Sequence, residues 1–275
     1  MPVWDTFVHG DVEGVRVGRF NAGLSTTSVV YRFGRTVIDS GPPNQWAAVQ
    51  GFLDAAPPAR LLLTHHHEDH AGNAARIASR YGLVPQAPQA SRAWLRDGFE
   101  IPPIQHLVWG AAPPVETDPL PSEVTLDGGV RLDVLPAPGH APDMVCLHWP
   151  DRGWLFSADL FLSRRLTHLR YDEDLGATIA SLDRVLDRDF DTVFCAHRGV
   201  VLDGHTALRD KRDYLANLCE RSQALRRQGR SVRQIRRQLL GAEDAVSWAT
   251  ALGISKRNLI RQALAVRPTG GGGVG

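Results

Sequence analysis

Residues 11–38 alternate between apolar and polar side chains in the way that paired β-strands do, beginning with Val12, Val15 and Val17. β-Branched runs at 28–33 and 36–38 stand on either side of Gly34, and a glycine between two such runs indicates a hairpin. Residues 44–54 instead repeat their apolar side chains at helical spacing. The start of the chain is therefore predicted as strand, strand and helix.

Four short apolar runs further along the chain each lead into a polar residue. The runs begin near Arg60, Leu132, Trp154 and Asp191, and they lead into His65, His140, Asp159 and His197. A helical repeat at 178–186 separates the last two runs. Strand ends that deliver polar side chains are typical of an α/β architecture, in which a buried scaffold positions the loops that carry the chemistry.

The segment 64–70, Thr-His-His-His-Glu-Asp-His, places six consecutive ionisable side chains directly after a run of three leucines. In an extended segment alternate side chains point the same way, so His65, His67 and Asp69 should converge. A helix is predicted to follow at 71–81. Imidazoles and carboxylates are costly to bury alone and well suited to hold a metal ion, so this segment is a candidate metal site.

The apolar side chains of residues 85–121 show neither helical nor strand-like spacing over any sustained stretch. The segment is rich in proline and small residues, with Trp94 and Trp109 scattered within it. A stretch of this length without clear elements is typical of a functional loop or lid. A solvated insertion with one short helix near 91–96 is the alternative. Strand patterns return at 124–135.

Length and composition describe an ordinary globular protein. A chain of 275 residues can bury one substantial core, and its net charge of +1 favours neither a nucleic-acid nor a membrane partner. No apolar run approaches the roughly 18 residues of a membrane span, and the first residues lack a signal-peptide pattern. Cys146, Cys195 and Cys219 are widely spaced, as reduced thiols are. We therefore expect a cytoplasmic protein.

The last part of the chain, 206–268, is predicted to be helical and is strongly basic. It carries 14 Arg and Lys against five Asp and Glu, a net charge of +9 that leaves −8 for the remaining chain. Ser231 and Ser255 stand where helix N-caps are expected. The final glycine-rich residues, 269–275, are expected to form a disordered tail.

Taken in order, the polar segments resemble the motifs of the metallo-β-lactamase superfamily, and of its glyoxalase II-like branch in particular. The matching segments are Val37-Ile38-Asp39-Ser40-Gly41, His65-His66-His67-Glu68-Asp69-His70, Pro138-Gly139-His140, Ser157-Ala158-Asp159 and Ala196-His197-Arg198-Gly199. The resemblance covers roughly residues 10–200. It implies an α/β fold, an αββα sandwich followed by a C-terminal helical extension. Residues 1–205 would form the catalytic domain, with a lid insertion near 85–121, and 206–268 the extension.

The resemblance also implies which side chains hold two divalent ions. His65, His67 and His140 would hold the first ion. Asp69, His70 and His197 would hold the second, and Asp159 would bridge the two. Zinc is the expected metal, although iron and manganese accept the same ligands. A single-metal site, with some of these residues acting only as hydrogen-bonding groups, is the alternative.

Two ions roughly 3.5–4 Å apart lower the pKa of a bridging water to about 7 and so provide a hydroxide nucleophile. The expected activity is hydrolysis of a small-molecule thioester, ester or lactone, with Asp69 as the catalytic residue that orients the nucleophile. The alternative is a phosphodiesterase or ribonuclease, in which the basic C-terminal helices would bind nucleic acid. The sequence does not predict an oligomeric state.

The remaining histidines have other expected roles. His66 should point away from the ions, while His168 and His205 follow the last motifs closely enough to be candidates for substrate binding. A ligand histidine normally gives its second ring nitrogen to a carboxylate or carbonyl, and Asp39 is a candidate partner of this kind. Cys195 is expected to be a small core residue.

Overall fold

The fold was analysed in a computed structural model that describes residues 3–20 and 26–267. The strands are β1 (Val3–His9), β2 (Val12–Gly18), β3 (Ser28–Phe33), β4 (Thr36–Ile38), β5 (Arg60–Leu62), β6 (Gln86–Ala87), β7 (Asp118–Pro119), β8 (Glu123–Thr125), β9 (Arg131–Pro136), β10 (Val145–Trp149), β11 (Trp154–Ala158), β12 (Leu169–Arg170), β13 (Thr192–Cys195), β14 (Gly199–Val201) and β15 (Ile254–Ser255). The helices are α1 (Trp46–Asp54), α2 (Glu68–Ala71), α3 (Ala74–Tyr81), α4 (Arg92–Asp97), α5 (Pro103–Trp109), α6 (Leu175–Leu186), α7 (Gly204–Arg227), α8 (Val232–Leu239), α9 (Ala245–Ala249) and α10 (Lys256–Ala265).

Two sheets form the centre of the molecule. The first has the order β1-β2-β3-β4-β5-β6-β7, antiparallel up to β4 and parallel beyond it. The second has the order β14-β13-β11-β10-β9-β8, in which β11 and β13 run parallel. A separate two-stranded pair joins β12 to β15. The hairpin predicted at Gly34 is confirmed, because β3 and β4 pair across residues 34 and 35.

The two sheets pack face to face, and the strands alternate between two cores as the period of two requires. In β3, Val29 and Tyr31 enter the core between the sheets, whereas Val30 faces the outer helices. Phe156 and Phe194 of the second sheet stack at 4.7 Å within the inner core. Helices cover both outer faces, so the predicted αββα sandwich is confirmed.

Each outer layer has its own apolar core. Val49 and Leu53 of α1 and Ile77 of α3 pack on the outer face of the first sheet. On the other side, α6, α7, α8 and α10 share one core with β10, β11 and β13. The C-terminal helices therefore complete the outer layer of the second sheet. Within the residues that the structure describes, no helix combines the length and apolar character that crossing a membrane needs.

The structure corrects the prediction of one helix at 71–81. The helix is broken into α2 and α3 at Gly72-Asn73, where the chain packs closely against the loop after β4. A Cβ atom at position 72 would lie 2.3 Å from Pro43 Cδ, so only glycine fits there. Asn73 Nδ2 donates to three backbone carbonyls of that loop, those of Ser40, Gly41 and Pro42.

Other predictions made from the sequence are corrected, refined or confirmed by the structure. The sequence pattern missed β1, which pairs with β2 along its whole length. Residues 85–121 contain α4 and α5 and two short strands that extend the first sheet, and α4 matches the short helix considered near 91–96. Ser231 and Ser255 cap α8 and α10 as predicted. The expected tail at 269–275 lies outside the described residues.

Candidate metal centre

The candidate ligands come from four chain segments that meet at one edge of the sandwich. The segment 64–70 follows β5, and His140 follows β9. Asp159 and His197 follow the parallel strands β11 and β13. Because these strand ends lie at the same edge, residues far apart in sequence become neighbours. The seven residues form three overlapping groups, in each of which the potential ligand atoms lie within 4.8 Å of one another.

The first group contains His65, His67 and His140. His67 Nδ1 lies 3.0 Å from Nε2 of His65 and 3.0 Å from Nε2 of His140. His65 and His67 are buried, and this burial lowers the pKa of both side chains well below the usual value of histidine, with nearby histidines adding to the effect. Both rings are therefore neutral at pH 7, the state in which an imidazole binds a metal.

The second group contains Asp69, His70 and His197. Asp69 Oδ2 lies 3.7 Å from His70 Nε2 and 3.6 Å from His197 Nε2. Burial opposes charge on both rings, but the surrounding aspartates outweigh it and raise the pKa of each histidine. The carboxylates around His70 and His197 therefore favour positive charge between them, whether it comes from a proton or from a metal ion.

Asp159 stands between the two groups and faces both. Its Oδ2 lies 3.1 Å from His140 Nε2, while its Oδ1 lies 3.1 Å from His197 Nε2 and 3.2 Å from His70 Nε2. Burial would raise the pKa of this carboxyl, but His197, His70 and His140 hold it well below the usual range. Asp159 is therefore ionised and offers one oxygen to each group.

Neighbouring groups outside the cluster fix the histidine rings. His70 Nδ1 donates to Asp39 Oδ2 at 2.8 Å, His140 Nδ1 to Glu173 Oε1 at 2.7 Å, and His197 Nδ1 to the carbonyl of Thr27 at 2.5 Å. A proton held on Nδ1 leaves the lone pair of Nε2 directed into the cluster, which is the usual arrangement around a metal-binding histidine. The pairing expected for Asp39 is present.

These residues fit a metal ion. His70 Nε2 and Asp159 Oδ1 are buried 3.2 Å apart, but neither has a partner at hydrogen-bonding angles among the described residues. Buried polar atoms in native proteins are otherwise paired, so such atoms call for an ion or a water molecule. A set of imidazoles and carboxylates suits zinc, iron or manganese. The two groups joined through Asp159 can accommodate two ions.

Asp69 does not converge with His65 and His67, although alternation along an extended segment predicts that the three side chains share one face. The structure places Asp69 inside α2, where it meets His70 and His197, while His65 and His67 meet His140. The helical turn separates Asp69 from the two preceding histidines. It therefore divides the segment 64–70 between the two groups.

The structure does not bring His168 or His205 to the cluster. His168 Nε2 contacts Asp244 Oδ1 at 2.9 Å, beside α9. His205 donates from Nε2 to the carbonyl of Leu186 and packs on Phe190, which precedes β13 and so lies at the opposite end of that strand from His197. Both rings are engaged within the protein, and the structure supplies no contact that supports their predicted role in substrate binding.

His66 and Cys195 lie outside the cluster, as expected. His66 Nδ1 donates to Asp143 Oδ1, and its ring lies 4.3 Å from the ring of Trp94. Cys195 is buried, and its thiol donates to the carbonyl of Phe161 at 2.8 Å. Burial raises the pKa of this thiol to about 11, so it stays protonated.

Three polar residues beside the candidate ligands were not predicted from the sequence, namely Glu173, Arg170 and Asp143. Glu173 accepts from His140, and Arg170 Nη2 lies 3.0 Å from His67 Nε2. Asp143 holds His66, the residue between the first two ligands. The only local signal was the run of charges around Arg170, since the partners are far apart in sequence.

The segment 85–121 lies against the centre on two sides. The ring of Trp109, at the end of α5, lies 6.5 Å from the ring of His197. Trp94 of α4 packs on His66, and Ser91 donates to Asp143 Oδ2 at 2.6 Å. These contacts place α4 and α5 beside the cluster.

Comparisons with known proteins agree with this arrangement. A sequence profile described as the metallo-beta-lactamase superfamily matches residues 22–197. An atrochrysone carboxyl ACP thioesterase of Claviceps purpurea is 28% identical over 86% of this chain and 70% of its own length. A hydroxyacylglutathione hydrolase of Thiobacillus denitrificans is 31% identical over 58% of this chain, which spans 55% of that protein.

Solved structures show the same fold. A beta-lactamase domain protein from Burkholderia ambifaria is 19% identical and superposes with a TM-score of 0.70, over 95% of this chain and 89% of that one. A metallo-beta-lactamase from Pontibacter korlensis is 17% identical, with a TM-score of 0.63 over 78% of this chain and all of that chain. The profile match covers well over half of the chain, and it includes every ligand candidate. This chain belongs to the metallo-beta-lactamase superfamily.

Proposed function

We propose that this protein is a metal-dependent hydrolase of a carboxylic thioester, with esters and lactones as chemically related substrates. The observation that carries the proposal is the position of Asp159 between two groups of ligand atoms. An arrangement of this kind suits two ions that act on one substrate. When bound, two such ions supply a nucleophile from water at neutral pH and polarise the carbonyl that is attacked.

His65, His67 and His140 would hold the first ion, and Asp69, His70 and His197 the second. Zinc is the expected metal, since imidazoles and carboxylates suit it, and iron and manganese are accommodated by the same atoms. The hydrogen bonds to Asp39, Glu173 and Thr27 keep the rings in place before an ion arrives. The site is thus largely preorganised.

Asp69 is the proposed catalytic residue. Its carboxylate lies at the surface of the cluster on α2, 3.7 Å from His70 Nε2 and 3.6 Å from His197 Nε2. From there Oδ2 can accept a hydrogen bond from the attacking water, orient it and receive its proton. The buried Glu68 beside it has a pKa raised to about 7 by burial and by Asp69.

The relatives support a thioester as substrate. The Claviceps protein is named a carboxyl ACP thioesterase, and the Thiobacillus protein a hydroxyacylglutathione hydrolase. The latter name describes hydrolysis of an acyl group carried on glutathione. Acyl transfer to water from a sulfur carrier is therefore the reaction class that we assign to this chain.

Hydrolysis of a phosphodiester is the second candidate, because the segment 206–268 carries a net charge of +9. Not all of these cations are free. Arg212 contacts Asp183 of α6, outside the segment, and Lys211 is buried. Less than the full charge can therefore reach phosphates, so the thioester is preferred.

A paired experiment tests the proposal. Elemental analysis of the purified protein is expected to find two divalent ions per chain, with zinc as the main metal. A panel of acyl thioesters, aryl esters, lactones, β-lactams and bis-p-nitrophenyl phosphate should then show the largest kcat/KM for a thioester. Faster cleavage of the phosphodiester than of every acyl substrate would establish the second candidate instead.

The role of Asp69 leads to a prediction for Asp69→Ala. We expect turnover to fall at least about a thousandfold, while His65, His67, His140 and Asp159 still bind the first ion. Turnover and metal content are measured on the same preparation. Near-normal turnover in a fully loaded variant would contradict the catalytic role.

A further inference from the structure

A long groove on the outer face of the first sheet has no part in the chemistry described so far. It lies beside α1, which connects β4 to β5 and therefore covers the middle of the sheet. The outer face of β1 is left uncovered on that side, where Thr6 and Val8 are exposed, whereas Val15 and Val17 of β2 are buried. The groove, called here the α1 groove, has a volume of about 1200 Å³ and extends along α1 from Asn44 to Ala55. Ligand pockets commonly have volumes of about 300–1,000 Å³.

The lining of the α1 groove is mainly apolar. Val8, Phe20 and Phe52 contribute large side chains, and Ala48 and Gly51 leave space along the helix. Val8 is 70% exposed and Phe20 41% exposed at its rim. Large apolar side chains that are exposed together mark a surface suited to an apolar ligand.

The charged side chains of the lining are already engaged within the protein. Arg32 pairs with Glu13 and donates to the carbonyl of Phe52. Arg19 Nη1 donates to the carbonyl of Leu107 at 2.9 Å. Glu13 and Arg32 compensate each other, and the charge of Arg19 lies at the rim beside Phe20, so the remainder of the groove suits an uncharged chain.

One end of the α1 groove contacts the chain segment that borders the candidate metal centre. Asn44 Nδ2 donates to the carbonyl of Val108 at 2.7 Å, and Arg19 donates to the carbonyl of Leu107. Trp109 follows Val108, and its ring lies 6.5 Å from the ring of His197. Two hydrogen bonds thus join the end of the groove to the segment that borders the second ligand group.

We propose that the α1 groove binds an extended hydrocarbon chain, the acyl part of the substrate, while its carbonyl lies at the metal centre. The proposal rests on the thioesterase function proposed above. It follows from three properties together: a mainly apolar lining, a length along the whole of α1, and an end hydrogen-bonded to the segment that contains Trp109. It assigns the enzyme a preference for long acyl chains.

Gly51 provides a direct test. A Cβ atom at this position has no heavy atom within 4 Å, so a larger side chain fits without a clash and points into free space. Gly51→Phe is designed to fill the groove. Gly51→Ala is the matched control at the same position, and Ser79→Phe places the same ring on an exposed position of α3 outside the groove.

Two measurements are made on each variant. The first is kcat/KM for decanoyl and acetyl thioesters of N-acetylcysteamine. Gly51→Phe should lower the decanoyl-to-acetyl ratio about tenfold, because the filled groove no longer buries the distal methylenes. Both controls should keep the ratio of the wild type. The second is calorimetric binding of 1-decanol, a neutral probe, which Gly51→Phe should abolish.

The outcomes separate the two proposals. A ratio unchanged by Gly51→Phe in an active enzyme overturns the groove as the acyl site, even if 1-decanol binds there. Unchanged binding of 1-decanol in Gly51→Phe overturns it as well. If the wild type hydrolyses neither thioester, the proposed function has failed. In that case, loss of 1-decanol binding in Gly51→Phe still supports the groove as a site for a hydrocarbon chain.

Discussion

Asp143 shows how a single buried side chain can hold a ligand segment in place. Its side chain is completely buried, and it accepts hydrogen bonds from the backbone N–H and Nδ1 of His66 and from the hydroxyl of Ser91. His66 lies between two candidate ligands, so fixing its backbone fixes theirs. Asp143 is thus a positioning residue for the first ligand group.

We expect Asp143→Asn to weaken binding of the first ion about tenfold, because an amide replaces one of the two accepting oxygens with a donor. Metal affinity is measured by competition with a chromogenic chelator. Asp151→Asn, at an exposed position, serves as the control. An affinity equal to that of the wild type would mean that His66 does not need Asp143 to position its neighbours.

Lys211 is a second buried side chain with a measurable signature. Its ammonium donates to the carbonyl of Leu160 at 2.6 Å, next to Asp159, and burial lowers its pKa from 10.5 to about 8. In the unfolded chain the pKa returns to its usual value. Between these two values the unfolded state binds the extra proton, so stability rises with pH in this window.

Lys211→Met should remove that rise. From pH 7.5 to 10 the free energy of unfolding of the wild type should increase relative to that of the variant. The increase approaches about 3 kcal/mol once Lys211 is deprotonated in both the folded and the unfolded state. Urea unfolding at the two pH values provides the measurement. Parallel pH dependences for the two proteins would show that Lys211 is not held in a low-dielectric position.

The cluster of candidate ligands could be predicted from sequence because each residue belongs to a short motif at the end of an apolar run. The hydrogen-bond partners of these residues could not. Glu173 reaches His140, and Asp143 reaches His66, only after distant segments have packed together. No spacing along the chain encodes those contacts. The same holds for Arg170 beside His67.

At the scale of elements, the break between α2 and α3 lets the loop after β4 pack against the segment that carries Asp69 and His70. Had the chain continued as one helix, the loop after β4 could not pack where Gly72 now allows it. Asn73 then fastens that loop with its side-chain amide, and Ser40 donates in turn to the carbonyl of His70. The junction therefore positions His70 and Asp39 relative to one another.

Asn73→Ala should destabilise the protein by about 3 kcal/mol, because three buried carbonyls lose a donor. Urea unfolding measures the change. Asn217→Ala, on the exposed side of α7, should change stability by less than about 0.5 kcal/mol. Equal effects of the two substitutions would rule out the proposed importance of the junction.

Most strands and helices could be predicted from periodicity, and the failures have physical causes. The break at Gly72-Asn73 is imposed by packing against Pro43, which no local pattern reveals. In 85–121, α4 and α5 are short helices among prolines, and the period is too brief to recognise. β1 reads Val-Trp-Asp-Thr-Phe-Val-His, so its apolar and polar side chains do not alternate and the period of two gives no signal there.

At the scale of the whole molecule, two helical layers enclose the sheets, and the C-terminal helices are part of one of them. Ile235, Leu259 and Ile260 share a core with Leu155 of β11 and Val193 of β13. The expected boundary at 205 and 206 therefore does not separate two cores. We propose that 206–268 supports the strands that deliver Asp159 and His197.

Metal binding should stabilise the folded molecule as a whole, since the unfolded chain cannot assemble the seven ligands. Ions present at about a thousand times their Kd would add about 4 kcal/mol, so a chelator should lower Tm by roughly 10 °C. Calorimetry with and without chelator measures the shift, and added zinc should reverse it. A Tm that does not respond to the chelator would contradict the metal centre.

The origin of the ligands in four separate segments has a consequence for the synthesis of the protein. On the ribosome, the segment 64–70 emerges long before His197 and the strands that enclose it. Until the second sheet has closed, only part of either ligand group exists, and ions can be held only weakly. We propose that metal uptake therefore follows the closing of the second sheet, and that its rate reports the completion of that step.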